Sequence, residues 1–152
     1  MPDVIHFYST TEEYGCFSNF SRHSIFLAGK RWPTSEHYFQ AQKFHGTEHE
    51  EAVRRCKTAR EAANLGRSRK LPLRRDWEGV KDEVMRQAVR TKFSQHEDLR
   101  AVLLGTGDAL LVEHTVNDSY WGDGGGSGKN RLGRLLMEVR DELRRQEQEG
   151  QS

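Results

Sequence analysis

Short runs of β-branched, aromatic and aliphatic residues predict a small number of strands. Residues 4–8 (VIHFY) predict a first strand, and residues 110–114 (LLVEH) predict a late one. Residues 25–27 and 30–32 flank a turn that contains Gly29, so they predict a hairpin. Strands therefore account for only a small part of the chain.

Apolar positions at helical spacing predict that helices dominate. Thr58 opens a capping box, Gly66 closes the helix that follows it, and Asp76 can cap a long helix. Residues 146–152 are polar and are expected to be frayed. The predicted helices cover about residues 34–44, 48–57, 58–66, 77–95, 99–104 and a last segment from about 131. One apolar stripe of the last helix suits either a core or an interface: Leu132, Leu135, Leu136, Val139 and Leu143.

These patterns together predict an α+β fold in which several helices pack on a small, mostly antiparallel sheet. The chain has 152 residues, which is the size of one domain. Neither an internal repeat nor a linker between domains is visible. We expect one compact domain over residues 1–152, with its core at about residues 4–145.

The charge balance narrows the class of partner. The chain has 24 Lys and Arg against 23 Asp and Glu, a net charge of +1. This balance argues against a protein whose main partner is duplex DNA. No apolar run of about 18 residues is present, so no membrane span is predicted. The first residues lack the pattern of a signal peptide, and we expect a cytoplasmic protein.

Cysteine and histidine give little support for a disulfide or metal site. Cys16 and Cys56 are too few for a disulfide framework, and neither belongs to a CxxC pair. His45 and His49 are four residues apart, but Gly46 interrupts the helix that would align them. We expect no metal and no cofactor.

A polar stripe on the predicted helix of residues 34–44 is the first candidate for chemistry. Glu36, Gln40 and Lys43 are spaced four and three residues apart, which places them on one face. The same helix carries several apolar side chains, so this face can border a cleft where the acid and the amine converge on one small group. The alternative is the solvated stripe of a surface helix.

A glycine-rich loop before the last helix is the second candidate. Glycines let backbone N–H groups approach an anion, and a helix begins directly after the loop. Asp118 and Asp123 can orient sugar hydroxyls or act as acid or base, and Trp121 can stack on a base. The order of residues is not that of a P-loop. The alternative is a mobile surface loop.

Three further features each have two interpretations. Asn19 lies between Phe17 and Phe20, where it either bonds the edge of a ligand or caps a turn in the core. Trp77, at the start of a helix, belongs either to the core or to a site. The basic residues of segment 67–75 either meet a terminal phosphate or form a solvated linker.

Four ordered motifs carry a family resemblance. They are residues 17–20 (FSNF), 32–44 (WPTSEHYFQAQKF), 120–124 (YWGDG) and 128–133 (GKNRLG). The chain resembles the YbiA-like, or NADAR (NAD- and ADP-ribose-associated), domain family over about residues 4–145, and within it the bacterial YbiA type. The resemblance implies an N-glycosidase with an α+β fold.

For this type, the resemblance implies hydrolysis of the N-glycosidic bond in early riboflavin-pathway intermediates, which are aminopyrimidines joined to ribose 5-phosphate. Ribose 5-phosphate is then released. Other members are similar but remove ADP-ribose from the amino group of guanine, which would make ADP-ribosylated nucleic acid a partner. A non-catalytic module that binds ADP-ribose or NAD is the alternative from another class, although binding alone does not demand an acid–amine pair.

The resemblance, together with the residue patterns above, gives the expected site residues. The expected catalytic residues are Glu36, Lys43 and Asp123. The expected substrate-binding residues are Asn19, Phe20, Gln40, Trp77, Asp118, Trp121, Gly122, Gly124, Lys129 and Asn130. Two routes are open: Lys43 forms a Schiff base with the opened sugar, or Glu36 or Asp123 activates water while Lys43 only binds.

Overall fold

A computed structural model describes residues 3–150, and the chain divides into two compact units. The first unit combines the residues up to Ser18 with those from Phe93 onward, and the second unit is Asn19–Lys92. We call them the terminal unit and the central unit. The expectation of one domain over the whole chain stays a prediction.

Helices outnumber strands among residues 3–150, and the predicted α+β class is confirmed. The strands are β1 (Val4–Phe7), β2 (Ile25–Leu27), β3 (Lys30–Trp32) and β4 (Leu110–Glu113). The helices are α1 (Ser35–Ala41), α2 (Glu48–Arg54), α3 (Ala59–Gly66), α4 (Trp77–Gln95), α5 (Glu97–Gly105) and α6 (Arg131–Gly150). Short 3₁₀ turns cover Gly15–Phe17 and Gln42–Phe44. None of the helices described is long and apolar enough to cross a membrane.

The strands form two separate pairs, which corrects the expectation of a mostly antiparallel sheet. β2 and β3 are the predicted antiparallel hairpin, and its turn residues Ala28 and Gly29 both have positive φ, at 56° and 78°. β1 and β4 pair in parallel, with Val4 opposite Leu110. A parallel pair needs a long crossover, and here most of the chain lies between its strands, so local sequence patterns do not reveal it.

The central unit is built around α1. Thr34 begins the helix, because its hydroxyl accepts a hydrogen bond from the backbone N–H of His37 at 3.1 Å. All seven residues of α1 are buried, and the helix packs against α2 and α3. The solvated surface stripe that was the alternative for this helix is therefore wrong. The helix continues as the 3₁₀ turn to Phe44, where the predicted helix ends.

In the terminal unit, α6 packs on β4, and the predicted apolar stripe of the helix is buried. All five stripe residues are at most 2% exposed, so this face belongs to the core of the protein. The expectation that residues 146–152 are frayed is wrong for residues 146–150, which continue α6. An ion pair between Arg100 of α5 and Glu147, at 3.5 Å, adds a contact at this end. Residues 151–152 lie outside the described part of the chain.

Candidate functional site

Glu36 and Gln40 form a buried polar pair on one face of α1. Their exposed fractions are 6% and 3%, and the Gln40 amide Nε2 donates to Glu36 Oε1 at 2.7 Å. The predicted i, i+4 relation between these two residues is thus a direct contact. The Gln40 amide oxygen is buried and has no hydrogen-bond partner in the structure. An unpaired buried amide oxygen is costly, so the surroundings must hold Gln40 firmly in this position.

Gly66, the last residue of α3, leaves the space that the Gln40 side chain occupies. A Cβ atom at Gly66 would lie 2.2 Å from Gln40 Oε1 and 2.7 Å from Gln40 Cβ. The helix ends at Gly66 as predicted, but the reason for the glycine is different, because the next residue, Arg67, keeps right-handed helical dihedrals. The glycine is required by the close approach of α1 and not by a left-handed cap.

Lys43 follows α1 and lies beside the same glycine. Its half-buried ammonium nitrogen Nζ donates to the Gly66 carbonyl oxygen at 3.3 Å. Nζ also lies 5.8 Å from the ring centre of Trp77 and 5.9 Å from that of Phe39. The two rings pack on each other, with their centres 5.1 Å apart. The amine is therefore held against an aromatic wall at the end of α3.

Burial lowers the pKa of Lys43 from its ordinary value near 10.5. The charges around the amine act in both directions: Glu36 raises its pKa, while Arg67 and Lys81 lower it. Burial is the largest of these effects, so the net direction is downward. A neutral amine, which is the nucleophilic form, is therefore present at a lower pH than for a free lysine.

Lys43 and Trp77 line a pocket of about 430 Å³ in the central unit. Its lining residues are Lys43, Phe44, Gly66, Arg67, Ser68, Arg69, Leu71, Leu73 and Trp77. Trp77 is only 5% exposed, so it belongs both to the core and to the wall of the pocket. Glu36 and Gln40 are not among the lining residues, and Glu36 influences the pocket through the charge of Lys43.

Asn19 anchors the start of α1. Its side-chain Oδ1 accepts from the hydroxyl of Ser35 at 2.8 Å, and its Nδ2 donates to the sulfur of Met85 at 3.2 Å. Its backbone oxygen accepts from the N–H of Glu36 at 3.2 Å. Asn19 is 8% exposed, and its neighbour Phe20 is half-buried. These bonds give Asn19 a role in positioning Glu36, and its predicted contact with substrate stays a prediction.

In the terminal unit, the Asp123 carboxylate is held by three hydrogen bonds. Oδ2 accepts from the ring Nδ1 of His114 at 2.6 Å, and Oδ1 accepts from the backbone N–H groups of Thr115 and Gly125, each at 3.0 Å. The His114 bond is the largest cause of a pKa of about 2 for Asp123. Such an acid stays ionised at neutral pH and is a weak base.

Asp118 and Asn130 also bond within the glycine-rich loop. Asp118 Oδ1 accepts from the N–H groups of Tyr120 and Trp121, both at 2.9 Å. Asn130 Oδ1 accepts from the N–H of Glu113 at 3.0 Å, which ties the loop to β4. Among the described residues these side chains shape the loop.

The remaining predicted residues of this loop also have contacts within it. Trp121 is half-buried and packs edge-on against Tyr120, with ring centres 4.8 Å apart. Lys129 Nζ lies 5.6 Å from the ring centre of Tyr120. Gly124 has a φ of 58°, and a Cβ on it would lie 2.8 Å from the Cβ of Ser119. A Cβ on Gly122 would lie 2.8 Å from Thr115. The loop is thus ordered by its own contacts, and its binding of substrate stays a prediction.

The predicted residues therefore fall into two groups. The central unit holds Asn19, Phe20, Glu36, Gln40, Lys43 and Trp77, and the terminal unit holds Asp118, Trp121, Gly122, Asp123, Gly124, Lys129 and Asn130. Sequence reasoning left the basic segment 67–75 open between a phosphate contact and a solvated linker, and it missed the other pocket-lining residues at the end of α3 and after it, Gly66, Ser68, Leu71 and Leu73. The basic residues of segment 67–75 were the available signal, but their spacing alone does not separate a pocket wall from a solvated linker.

Within residues 3–150, no group of three or more His, Cys, Asp and Glu side chains is arranged to hold a metal ion. His45, one of the two histidines considered for a metal, has its Nδ1 at 3.0 Å from Glu50 Oε2.

Lys43 is a half-buried amine of lowered pKa in a pocket, and the acid Glu36 lies on the adjoining helix α1. This combination is typical of an enzyme rather than of a simple binding module. In the comparison with protein families, the model described as NADAR domain matches residues 6–144. The chain belongs to the NADAR domain family.

Its relatives give the class of reaction. The chain is 60% identical to N-glycosidase YbiA of Escherichia coli over 92% of this chain and 88% of that protein. It is 47% identical to a riboflavin biosynthesis protein of Vibrio vulnificus, over 94% of this chain but only 39% of that protein. The solved NMR structure of E. coli YbiA superposes with a TM-score of 0.90 at 57% identity, covering 98% of this chain and 90% of that one. The predicted enzyme, a hydrolase of the N-glycosidase class, is confirmed.

Proposed function

We propose that this N-glycosidase hydrolyses the bond between ribose C1 and an exocyclic amine in a phosphorylated N-riboside. The proposed substrates are early riboflavin-pathway intermediates, aminopyrimidines joined to ribose 5-phosphate, and the released sugar is ribose 5-phosphate. A relative named as a riboflavin biosynthesis protein supports this substrate class. The free cysteines Cys16 and Cys56 fit the cytoplasm as the compartment.

The observation that carries the proposal is the position of Lys43. Its amine lines the pocket, contacts the aromatic wall formed by Phe39 and Trp77, and has a pKa below that of a free lysine. An N-riboside of this kind opens to an imine at C1, and an imine exchanges readily with a neutral primary amine. The flat face of an indole suits the heteroaromatic ring of the leaving group.

In the proposed reaction, neutral Lys43 Nζ attacks C1 of the opened sugar and forms a new C1–N bond. Both protons of the neutral amine pass in turn to the substrate nitrogen, the original C1–N bond breaks, and the aminopyrimidine leaves as a neutral amine. This step leaves a Schiff base between Lys43 and the sugar. Water then adds to C1, and cleavage of the C1–Nζ bond releases the aldehyde form of the sugar and restores the amine. Glu36 supplies and accepts the protons.

The rival route, in which a carboxylate activates water, has less support. Asp123 accepts three hydrogen bonds and has a pKa of about 2, which makes it a poor general base. Glu36 does not line the pocket but acts on the charge of Lys43, so exchanging protons with that amine suits it better than activating a water at C1. Lys43 does line it, so the covalent route uses the group in the better position.

Reduction during turnover tests this proposal. Sodium borohydride added with the aminopyrimidine ribose 5-phosphate is expected to reduce the Schiff base, so that peptide mapping by mass spectrometry finds the sugar phosphate on Lys43. Lys70, an exposed lysine in the basic segment 67–75, is the internal control for non-specific modification and should stay unmodified. Turnover without an adduct on Lys43, or equal labelling of both lysines, would contradict the covalent route.

Substrate choice is tested by a side-by-side assay with ADP-ribosylated guanosine. We expect faster release of free sugar from the aminopyrimidine ribose 5-phosphate, and loss of release in Lys43→Ala and Glu36→Gln. Circular dichroism checks that both variants keep the fold. Faster cleavage of the ADP-ribosylated guanosine would assign the activity to that substrate instead.

A further inference from the structure

The pocket that Lys43 lines is rich in cationic side chains. Of its nine lining residues, Arg67 and Arg69 carry positive charge, Lys43 adds an amine, and none of the nine is an acid. The chain as a whole is nearly balanced, with a net charge of +1, so this concentration is local. A pocket lined by one sign of charge attracts a ligand of the opposite sign.

The two arginines keep their charges available. Among the described residues, neither the Arg67 nor the Arg69 side chain makes an ion pair or a hydrogen bond, and both residues are exposed. Arg74, in the same basic segment, is different, because it forms two hydrogen bonds with the Asp76 carboxylate at 2.6 and 2.9 Å. Arg67 and Arg69 therefore differ from Arg74, whose charge is already paired with Asp76.

The polar groups at the end of α3 do not oppose an anion as strongly as a bare helix end would. The last carbonyls of a helix repel negative charge. Here the Ala63 oxygen accepts from the N–H of Arg67, the Leu65 oxygen accepts from the N–H of Ser68, and the Gly66 oxygen accepts from Lys43 Nζ. Ser68 is half-buried in the pocket wall, and its hydroxyl hydrogen can turn toward a ligand.

We infer that Arg67, Ser68 and Arg69 bind the phosphate monoester of the substrate at the pocket that Lys43 shares. Arginine forks match phosphate oxygens with paired hydrogen bonds, and a serine hydroxyl adds one more donor. This inference rests on the proposed function only in naming the ribose 5-phosphate group. The binding of the phosphate by these residues stands apart from the reaction route.

A calorimetric experiment on the intact protein tests the inference without turnover. Ribose 5-phosphate is expected to bind at least about tenfold more tightly than ribose, because charge-assisted hydrogen bonds are strong. The double variant Arg67→Gln/Arg69→Gln is expected to lose this preference. Arg75→Gln is the matched control, since Arg75 lies in the same segment but does not line the pocket, and it should keep the preference. Thermal unfolding checks that all variants are folded.

Two results would overturn the inference: equal binding of ribose 5-phosphate and ribose by the parent protein, or a preference that survives in the double variant. ADP-ribose serves as the third ligand. If it binds more tightly than ribose 5-phosphate and depends on the same arginines, the site is one for a diphosphate and the monoester assignment is wrong.

The same variants separate this inference from the proposed function. If borohydride traps no adduct but the arginine-dependent preference for ribose 5-phosphate is present, the phosphate site stands and the covalent route fails. If the adduct forms but the preference for ribose 5-phosphate is missing, the covalent route stands and the phosphate site fails. In turnover, we expect the ratio of KM for the phosphorylated substrate to KM for its dephosphorylated form to be at least about tenfold higher in the double variant than in the parent protein.

Discussion

At the scale of single residues, the charge state of Lys43 governs the chemistry, and two neighbours act on it in opposite directions. Glu36 favours the charged amine and Arg67 disfavours it, while burial sets the overall downward shift of its pKa. Glu36 therefore has two effects in the proposed reaction: it handles protons, and it limits how far the pKa of Lys43 falls. These effects are separable by experiment.

The pH dependence of kcat/KM measures this balance. We expect kcat/KM to rise with pH through a pKa below 10.5, because the free enzyme must lose the proton of Lys43. Glu36→Gln should move this limb to lower pH, since an anion near the amine is removed, and should lower the rate by about 10²–10⁴-fold, the usual contribution of acid–base catalysis. Arg67→Gln should move the limb to higher pH. Identical profiles in all three proteins would show that Lys43 is not the titrating group.

At the scale of elements, the contact between α1 and α3 positions the site. Gly66 allows Gln40 to lie against α3, Gln40 bonds Glu36, and the Gly66 carbonyl accepts from Lys43. Gly66 thus links the acid and the amine, through its packing against Gln40 and through the hydrogen bond that its carbonyl accepts. A methyl group at this position would push directly on Gln40.

Gly66→Ala tests this contact. The added methyl would lie 2.2 Å from Gln40 Oε1, so we expect the free energy of unfolding to fall by about 1–3 kcal/mol, as in overpacked cores. Gly79→Ala in α4 is the control, because its methyl meets open space and helix propensity should leave it neutral or stabilising by up to about 1 kcal/mol. Chemical denaturation measures both. Equal effects of the two substitutions would contradict the packing argument.

At the scale of the whole molecule, stability is linked to pH through His37. This residue is fully buried in α1, where its Nδ1 lies 2.7 Å from the Thr34 hydroxyl and its Nε2 lies 2.9 Å from the Cys56 carbonyl oxygen. Burial lowers the pKa of His37 below its ordinary 6.5, with smaller opposing effects from the Cys56 carbonyl and Glu61. The folded protein therefore disfavours the protonated form.

Because the unfolded chain takes up this proton first, the stabilising effect of neutral His37 is complete above pH 6.5 and is lost as the pH falls through and below that value. We expect the free energy of unfolding to decrease between about pH 7.5 and 5. Denaturation at several pH values measures the slope, which His37→Gln should reduce. An imidazole of His37 that titrates by NMR at or above 6.5 would contradict this prediction.

Much of the secondary structure could be predicted from the sequence because its causes are local. The helix that begins at about residue 34, the hairpin turn at Gly29 and the apolar stripe of α6 are all confirmed. The errors occurred where distant residues decide the outcome. The parallel pairing of β1 with β4 joins segments from opposite ends of the chain, and the reason for Gly66 lies in Gln40, 26 residues earlier.

The sequence by itself determined the elements, the family motifs and the acid and amine on one stretch of chain, since side-chain spacing and backbone preference act over a few residues. Only the tertiary structure decided that Lys43 meets Trp77 and the residues after α3 in one pocket, and that Asp123 is bound by its own loop. Burial and proximity between distant segments set the pKa of a side chain, and both arise only when the elements pack.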